Sequence, residues 1–545
     1  MLAPCLAADS QLANQVDRFL IWAVMENKVT NKILMVLIGV LLWAPFGFAK
    51  DIYIAQDSGG AINGADCANA YPAAWFNSSS NWGSAATQVN AGDTVHLCGT
   101  FTGVAGSTML TVQGSGVASR PITILFETNA ALTAPYWPYA TGAISCNNHS
   151  YITIDGGSNG LIQNTADGTG LAYQQNSKGV DGGGTGCTNF TVKNLRVSNL
   201  YIRTALSTTD ATDTAGISLI ANNSIATKNT IDHSRVGIGL SFSNTSNAEI
   251  SFNTETFVEH GITVGDTNNS SILTGVKIHD NDLGGGAYLW DSGSANMWHH
   301  DPIHVFAVHP GSSTSGVQIY NNYVHGSWGN DQGYKTTNGG THITAAFFIE
   351  TIGPGVQIFN NTIALIGPLN QTTNGLIFLK GSATVGQQSA NARVYNNTLV
   401  SDNEGQGIGL SSNSGHDIRN NIMSGLAYAI YTPPGSSVAV SDYNDFFGAA
   451  NFGNFNTFSG WQGLGFDTHS KTTDPKLDSN FNLQSTSTIL GLGVNLSSLG
   501  ISALDTDMQG VVRPAVGPWD FGAYVYGGTQ ATRAAAPTGL TAIVH

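Results

Sequence analysis

The segment Val317-Gln318-Ile319-Tyr320-Asn321-Asn322 is copied repeatedly along a chain of 545 residues. Each copy is a short alternating strand that ends in Asn, and the further copies are residues 276–281, 356–361, 392–397 and 417–421, with looser ones at 250–253 and 440–444. The step from Val394 to Ile418 is 24 residues, which is the length of one coil of three short strands. The step from Ile358 to Val394 is 36 residues, so we expect the same coil with an inserted loop.

A repeat of this kind predicts strands that stack in parallel. Each strand of such a coil lies about 4.8 Å from its copy in the next coil, so every position sees itself repeated. Inward positions then form columns of Ile, Val, Leu and Phe. Asn at a corner can adopt a left-handed backbone conformation and bond to the Asn stacked on it. A compact sandwich would also contain short strands, but it would not copy one motif in phase.

Three further stretches resemble the right-handed parallel β-helix proteins of the pectate-lyase-like superfamily. They are a cap and first coil (residues 51–54, 92–97 and 120–124), a first full repeat (151–156) and a closing segment (510–524). The resemblance implies an all-β, single-stranded right-handed solenoid with an N-terminal cap. It divides the chain into cap and first coils (50–145), β-helix (146–480) and closing segment (481–526). The paired-Asp segment of polygalacturonases and the DPHE signature of alginate epimerases are missing, so no catalytic residue is carried over.

Composition agrees with an ordered, turn-rich fold. Only 10% of the residues are charged, 66 are Gly and 41% are apolar, whereas disordered chains lack apolar residues. The net charge of −15 argues against nucleic acid, whose binding needs clustered Lys and Arg. It also disfavours a strongly anionic polymer unless a cation mediates.

Residues 1–49 are expected to be removed before the protein folds. Translation would start at Met25, and residues 25–49 read as a signal peptide with basic Lys28 and Lys32, an apolar run at 33–43, and small Gly47 and Ala49 at the cleavage site. The apolar run is too short for a membrane anchor, which needs about 20 residues. The mature protein is therefore predicted to be secreted, with the periplasm or cell surface as other locations and no membrane span.

The cysteines and the C-terminal tail fit an exported protein. Cys67, Cys98, Cys146 and Cys187 remain after cleavage, and of their three possible pairings we expect the local one, Cys67–Cys98 and Cys146–Cys187, with four free thiols as the alternative. Residues 527–545 have a linker composition and then resemble the first strand of a fibronectin type III module, cut short.

The longest coils mark the candidate site. The steps from Ile278 to Ile319 and from Ile319 to Ile358 are 41 and 39 residues long. In solenoid proteins, loops inserted into the coils often form the functional site. The strands that follow these loops align with Ile238, Ile262, Ile303, Phe347 and Ile377 facing inward. Alternation then sends two columns outward on one exposed face: Gly239, Thr263, His304, Phe348, Phe378 and Ser241, Gly265, Phe306, Glu350, Lys380.

Acids and bases beside aromatic rings suit a sugar chain. The candidate catalytic residues are His304, Glu350, Lys380 and Asp301. The candidate substrate-binding residues are Phe306, Phe348, Phe378, His300, Trp298 and Trp328. A polysaccharide lyase would use Lys380 or His304 as base beside a neutralised uronate carboxylate. A glycoside hydrolase would pair Glu350 with Asp301 or Asp291.

Two other interpretations stay open. Glu350 and Lys380 could form a surface ion pair while the histidines cap loops, and the whole chain could be a non-catalytic glycan-binding or adhesive stalk. No zinc motif is present and no cofactor is firmly predicted, although Asp280, Asp282 and Asp291 could bind Ca²⁺. We expect a monomer whose partner is a polysaccharide.

Overall fold

A computed structural model describes residues 49–166, 175–201, 213–220, 222–243, 246–286, 300–328, 345–350, 355–367, 374–381, 391–402 and 405–527. Contacts along the chain separate residues 1–49 from residues 50–545. Among the described residues, no helix is long and apolar enough to cross a membrane.

The body of the protein is a stack of coils with three faces. The first face is a sheet of 15 strands: Asp51–Ala55, Tyr71–Pro72, Thr94–Cys98, Ile122–Phe126, Ile152–Asp155, Phe190–Lys193, Ser224–Thr227, Ser246–Ser251, Ile272–His279, Ser313–Ser315, Gln318–Tyr320, Gln357–Phe359, Arg393–Tyr395, His416–Arg419 and Val438–Asp442. Neighbouring strands of this sheet pair in parallel, including those that are far apart in sequence.

The second face follows most strands of the first after a short corner. Its strands are Thr100–Thr102, Ala131–Ala134, Leu161–Asn164, Arg196–Ser198, Asp282–Leu283, Tyr323–Val324, Thr362–Leu365, Thr398–Ser401 and Ile422–Ser424. Two long strands, Thr230–Phe242 and Thr254–Asp266, run from the second face into the third.

The third face completes each coil. Its strands are Ser177–Gly182, Thr214–Ile220, Asp301–Phe306, Phe347–Glu350, Ile377–Lys380, Gln406–Ser411 and Tyr428–Tyr431. A separate short pair is formed by Leu110–Thr111 and Ile144–Ser145. The described helices are short: the α-helices Ala73–Phe76 and Phe458–Gln462, and the 3₁₀-helices Cys67–Asn69, Ser79–Asn81, Ser497–Leu499 and Ser502–Asp505.

The register confirms the predicted parallel β-helix. Ile319 pairs with Ile278 on one side and with Ile358 on the other, and Val394 then pairs with Ile358 and Ile418. All five side chains are fully buried, in one core that runs along the coils. Because each inward position meets its own copy, the sequence repeat is also the packing repeat.

At the corner between the first and second faces, two residues do what we predicted of a single Asn: one adopts the left-handed backbone and the next bonds to the Asn of the neighbouring coil. The first residue of each Asn pair takes the left-handed backbone, with φ of 55° at Asn321 and 54° at Asn360. The second residue points inward and builds a buried ladder: Asn322 Nδ2 donates to Asn361 Oδ1 at 3.0 Å, and the ladder consists of Asn229, Asn253, Asn281, Asn322, Asn361, Asn397, Asn421 and Asn444. The turn needs one residue with positive φ, and that residue cannot also face the core.

The closing segment folds back along this same corner. Nδ2 of Asn360 donates to the carbonyl of Thr506 at 2.7 Å, and Nδ2 of Asn420 donates to the carbonyl of Val494 at 2.8 Å. The outward Asn side chains of the C-terminal coils therefore bind backbone from residues 481–527.

The two predicted disulfides are confirmed. Cys67–Cys98 and Cys146–Cys187 join with Cα–Cα distances of 5.6 and 5.9 Å. The first lies in the cap and first coils, and the second lies at the start of the β-helix.

Candidate functional site

The predicted register of the third face is confirmed strand by strand. Ile262 pairs with Ile238 and Ile303, and Phe347 pairs with Ile303 and Ile377. All five inward side chains are buried. The outward neighbours therefore stack as expected, with His304 beside Phe348 and then Phe378, and with Phe306 beside Glu350 and then Lys380.

Glu350 lies between two basic side chains. Lys380 Nζ donates to Glu350 Oε1, and His304 Nε2 lies 3.8 Å from Glu350 Oε2. Burial alone would raise the pKa of Glu350, but the nearby imidazole of His304 and the ammonium group of Lys380 outweigh it and hold the pKa below its ordinary value. Glu350 is therefore a carboxylate that stays ionised.

The aromatic residues pack more tightly than expected. The ring of His304 stacks on Phe348 with centroids 4.5 Å apart, and Phe348 lies 5.4 Å from Phe378. Phe348 and Phe378 are only 5% and 7% exposed and form a small cluster with Ala345, so the prediction that they lie on an exposed face is wrong. Phe306 is partly exposed and remains the ring of this set with accessible surface.

Asp301 links the predicted cluster to residues that the sequence reasoning missed. His304 Nδ1 lies 3.9 Å from Asp301 Oδ2, and His260 Nε2 lies 3.6 Å from the same oxygen. On its other side, His260 Nδ1 lies 3.6 Å from Glu259 Oε2, which accepts a hydrogen bond from Arg235 Nε at 2.7 Å. Extending the alignment two residues upstream of Ile262 and Ile303 would have paired His260 with Asp301.

Glu259 is a second fixed carboxylate in this cluster. Burial would raise its pKa, but the interactions with His260, Arg235 and His300 lower it overall. Arg235 also donates to Asp213 at 2.8 Å. We call His260, Asp301, His304, Glu350 and Lys380 the third-face cluster, with Glu259 and Arg235 behind it.

Three predicted site residues occupy positions that a substrate does not reach. His300 and Trp328 are fully buried, and His300 Nδ1 lies 2.7 Å from the Trp328 carbonyl. Trp328 packs into the main core, so neither of these two predicted substrate-binding side chains presents surface to a substrate. Asp301 is also fully buried, and its Oδ1 accepts a hydrogen bond from the Ala345 amide at 3.1 Å. Trp298 and Asp291 lie outside the described residues.

A groove with a volume of about 1240 Å³ lies at the corner between the first and second faces. Its lining includes the outward corner residues of successive coils, among them Lys228, Phe252 and Asp280, and one end is lined by Met508 and Tyr524. Phe252 is 43% exposed. The groove and the closing segment thus lie along the same corner. The groove follows it over the N-terminal coils, and the closing segment covers it over the C-terminal coils.

Asp280 and Asp282, two of the three acidic residues considered for Ca²⁺, lie in this groove and pair with histidines. Asp280 Oδ2 lies 2.8 Å from His279 Nδ1, and Asp282 Oδ1 lies 2.6 Å from His325 Nε2. Within the described part of the chain, three metal-ligating side chains come together at His260, Asp301 and His304 instead.

Neither a family model nor a curated protein matches the chain. Solved structures do match. The chain is similar to the pectate lyase Pel9A, with 15% identity and a TM-score of 0.40 over 88% of this chain and 97% of that one. It is also similar to XylC, solved with xylose, with 11% identity and a TM-score of 0.47 over 88% of this chain and 99% of that one. The match to the PL6 family alginate lyase AlyGC has 12% identity and a TM-score of 0.40, and it covers 73% of this chain but only 53% of that lyase.

Proposed function

We propose that this chain is a secreted, monomeric enzyme that cleaves a polysaccharide at the third-face cluster. The observation that carries the proposal is the position of His304 between the carboxylates of Asp301 and Glu350, with Lys380 bound to Glu350 on the next coil. Such a line of acids and bases on adjacent coils supplies the groups that acid–base catalysis requires. The two disulfides support folding in an oxidising compartment.

Lys380 is the member of the cluster that a substrate can touch. Its side chain is 37% exposed, whereas His304 and Asp301 are largely or fully buried. Lys380 Nζ also lies 5.5 Å from the centre of the Phe348 ring, which fixes the ammonium group against the aromatic stack. A sugar approaching this face would therefore meet Lys380 first, beside the exposed part of Phe306.

Among the described residues, the geometry favours a lyase over a hydrolase. Hydrolysis by two carboxyl groups requires both of them to reach the glycosidic bond, one of them as a proton donor. Asp301 has no exposed surface, and Glu350 is held ionised, so this pair does not meet the requirement. A β-elimination needs a base and a positive charge near a uronate carboxylate, and the cluster contains Lys380 and His304 for these tasks.

The corner groove supports a second candidate function, non-catalytic glycan binding. Phe252 presents an exposed ring in the groove, and Lys228, Arg196 and Asp282 place polar groups around it. A ring flanked by polar groups can stack on a sugar while the polar groups bind its hydroxyls. The groove extends across several coils, as a site for an extended polymer would.

One screen separates these functions. The purified protein is incubated with plant, algal and bacterial polysaccharides, and the products are assayed for absorbance near 235 nm and for reducing ends. A lyase yields both signals, a hydrolase yields reducing ends alone, and a binding protein yields neither but is retained by a glycan column.

The variant Lys380→Ala assigns the activity to the third face. Its matched control is Lys193→Ala, because Lys193 is 39% exposed and pairs with Asp155 at 3.0 Å on the first face. We expect the Lys380 variant to lose most of its turnover and the Lys193 variant to keep it. Equal activity of the two variants would refute the assignment, and loss of binding in Phe252→Ala without any turnover in the parent would favour the groove.

A further inference from the structure

We propose that His260, Asp301 and His304 bind a divalent transition-metal ion. The ligating atoms of these three side chains all lie within 4.8 Å of one another, and all three residues are buried. They come from two adjacent strands of the third face, where His260 and Asp301 are paired in register. The backbone that holds them is therefore as regular as the rest of the coil.

The distances suit a shared ion better than direct hydrogen bonds. Asp301 Oδ2 lies 3.6 Å from His260 Nε2 and 3.9 Å from His304 Nδ1, whereas hydrogen bonds of this kind measure about 2.7–3.2 Å. Two ligand atoms that are each about 2.0–2.1 Å from a tetrahedral zinc ion lie roughly 3.3 Å apart. Small side-chain shifts would bring the three atoms onto one ion.

Each histidine has a carboxylate near its second ring nitrogen. Glu259 Oε2 lies 3.6 Å from His260 Nδ1, and Glu350 Oε2 lies 3.8 Å from His304 Nε2. Histidines that bind metals generally donate their other N–H to a carboxylate or a carbonyl, which fixes the tautomer and the orientation of the ring. The two carboxylates are themselves held by Arg235 and Lys380. The arrangement is thus ordered on both sides of the candidate ion.

The ligand types indicate which ion is bound. Two imidazoles and one carboxylate suit Zn²⁺ or Fe²⁺, whereas Ca²⁺, Mg²⁺ and Mn²⁺ prefer oxygen ligands. This inference concerns the same cluster as the proposed function and deepens it. With an ion bound, His304 would be a ligand and the ion would supply the positive charge that a uronate carboxylate needs, so the base of the proposed function would be Lys380 in its unprotonated form.

The test measures metal binding, not turnover. The full chain is freed of metal by dialysis against a chelator, and Zn²⁺ is then titrated in competition with a chromophoric chelator. We expect one ion per chain in the parent and an affinity lower by about 100-fold or more in His260→Ala and in Asp301→Asn. The Asn variant keeps the volume of the side chain and an oxygen that can still accept the Ala345 amide.

His279→Ala is the matched control, because His279 is buried between Asp280 and Glu249 in the neighbouring first face. We expect it to bind Zn²⁺ like the parent. Binding that is absent from the parent, or equal in all four proteins, would overturn the proposal. Turnover measured beside Zn²⁺ binding separates the two hypotheses. If Lys380→Ala loses turnover but still binds Zn²⁺, both the catalytic assignment and the metal site are supported. If Asp301→Asn keeps its turnover but no longer binds Zn²⁺, the metal site is supported and the catalytic assignment is refuted.

Discussion

Glu255 places a carboxyl group inside the apolar core, and its removal should change how stability depends on pH. The residue pairs in register with Ile231 on one side and Leu283 on the other, both of which are fully buried. Among the described residues, neither carboxyl oxygen has a hydrogen-bond partner. Gly237 makes the space, because a Cβ there would lie 1.8 Å from Glu255 Oε2.

The sign and size of the effect follow from burial. Burial raises the pKa of Glu255 from 4.5 to about 8. Between these values the unfolded chain loses the proton while the folded chain keeps it, so each pH unit lowers the free energy of unfolding by about 1.4 kcal/mol. The parent should therefore be about 3 kcal/mol less stable at pH 7 than at pH 4.5 through this group alone.

The assay is urea unfolding of the parent and of Glu255→Gln from pH 4.5 to pH 8. The amide cannot ionise, so the stability of the variant relative to the parent should rise steadily over this range. Other titrating groups are present in both proteins and cancel in the difference. Glu249→Gln serves as control, because the Glu249 side chain is 42% exposed, and it should follow the parent. A difference between Glu255→Gln and the parent that does not change with pH would show that the Glu255 carboxyl is not buried as described.

Three further predictions concern stability. Burial lowers the pKa of His416 to about 4. The free energy of unfolding should therefore fall by about 3 kcal/mol through this group as the pH is lowered from 6.5 towards 4, because the unfolded chain binds the proton first. His416→Gln should remove this loss in urea unfolding at the two pH values. Replacing Cys146 and Cys187 together by Ser opens a loop of 41 residues and should lower the free energy of unfolding by about 4 kcal/mol, visible as a lower melting temperature than that of the unreduced parent. Ile358→Asp should unfold the coils because it buries an unpaired carboxylate, whereas Gln357→Asp, on the outward side of the same strand, should leave the circular dichroism melt nearly unchanged.

The residues that face the core could be predicted from the sequence because the alternation of inward and outward residues is set within each short strand. Each strand repeats the alternation of its neighbour, so aligning Ile262 with Ile303 and Phe347 fixed which residues face the core. The corner was predicted less completely. Composition shows that Asn is favoured there, but only the backbone shows that Asn321 makes the turn and Asn322 the ladder.

The exposure of the outward side chains was harder to predict, because it depends on neighbouring residues that do not follow the sequence repeat. The alternation placed Phe348 and Phe378 outward, yet they pack against each other and are buried. The corner groove depends on the closing segment, whose contact between Asn360 and Thr506 spans 146 residues and leaves no local signal. His260 was missed for a simpler reason: the alignment stopped two residues short of it.

The most direct test of the proposed function is the turnover of Glu350→Gln on a polysaccharide that the parent cleaves. The substitution keeps the shape of the side chain but removes the charge that holds Lys380 and faces His304. We predict that kcat falls by about 100-fold or more while the melting temperature stays close to that of the parent. Full activity of Glu350→Gln would contradict the assignment of catalysis to the third-face cluster.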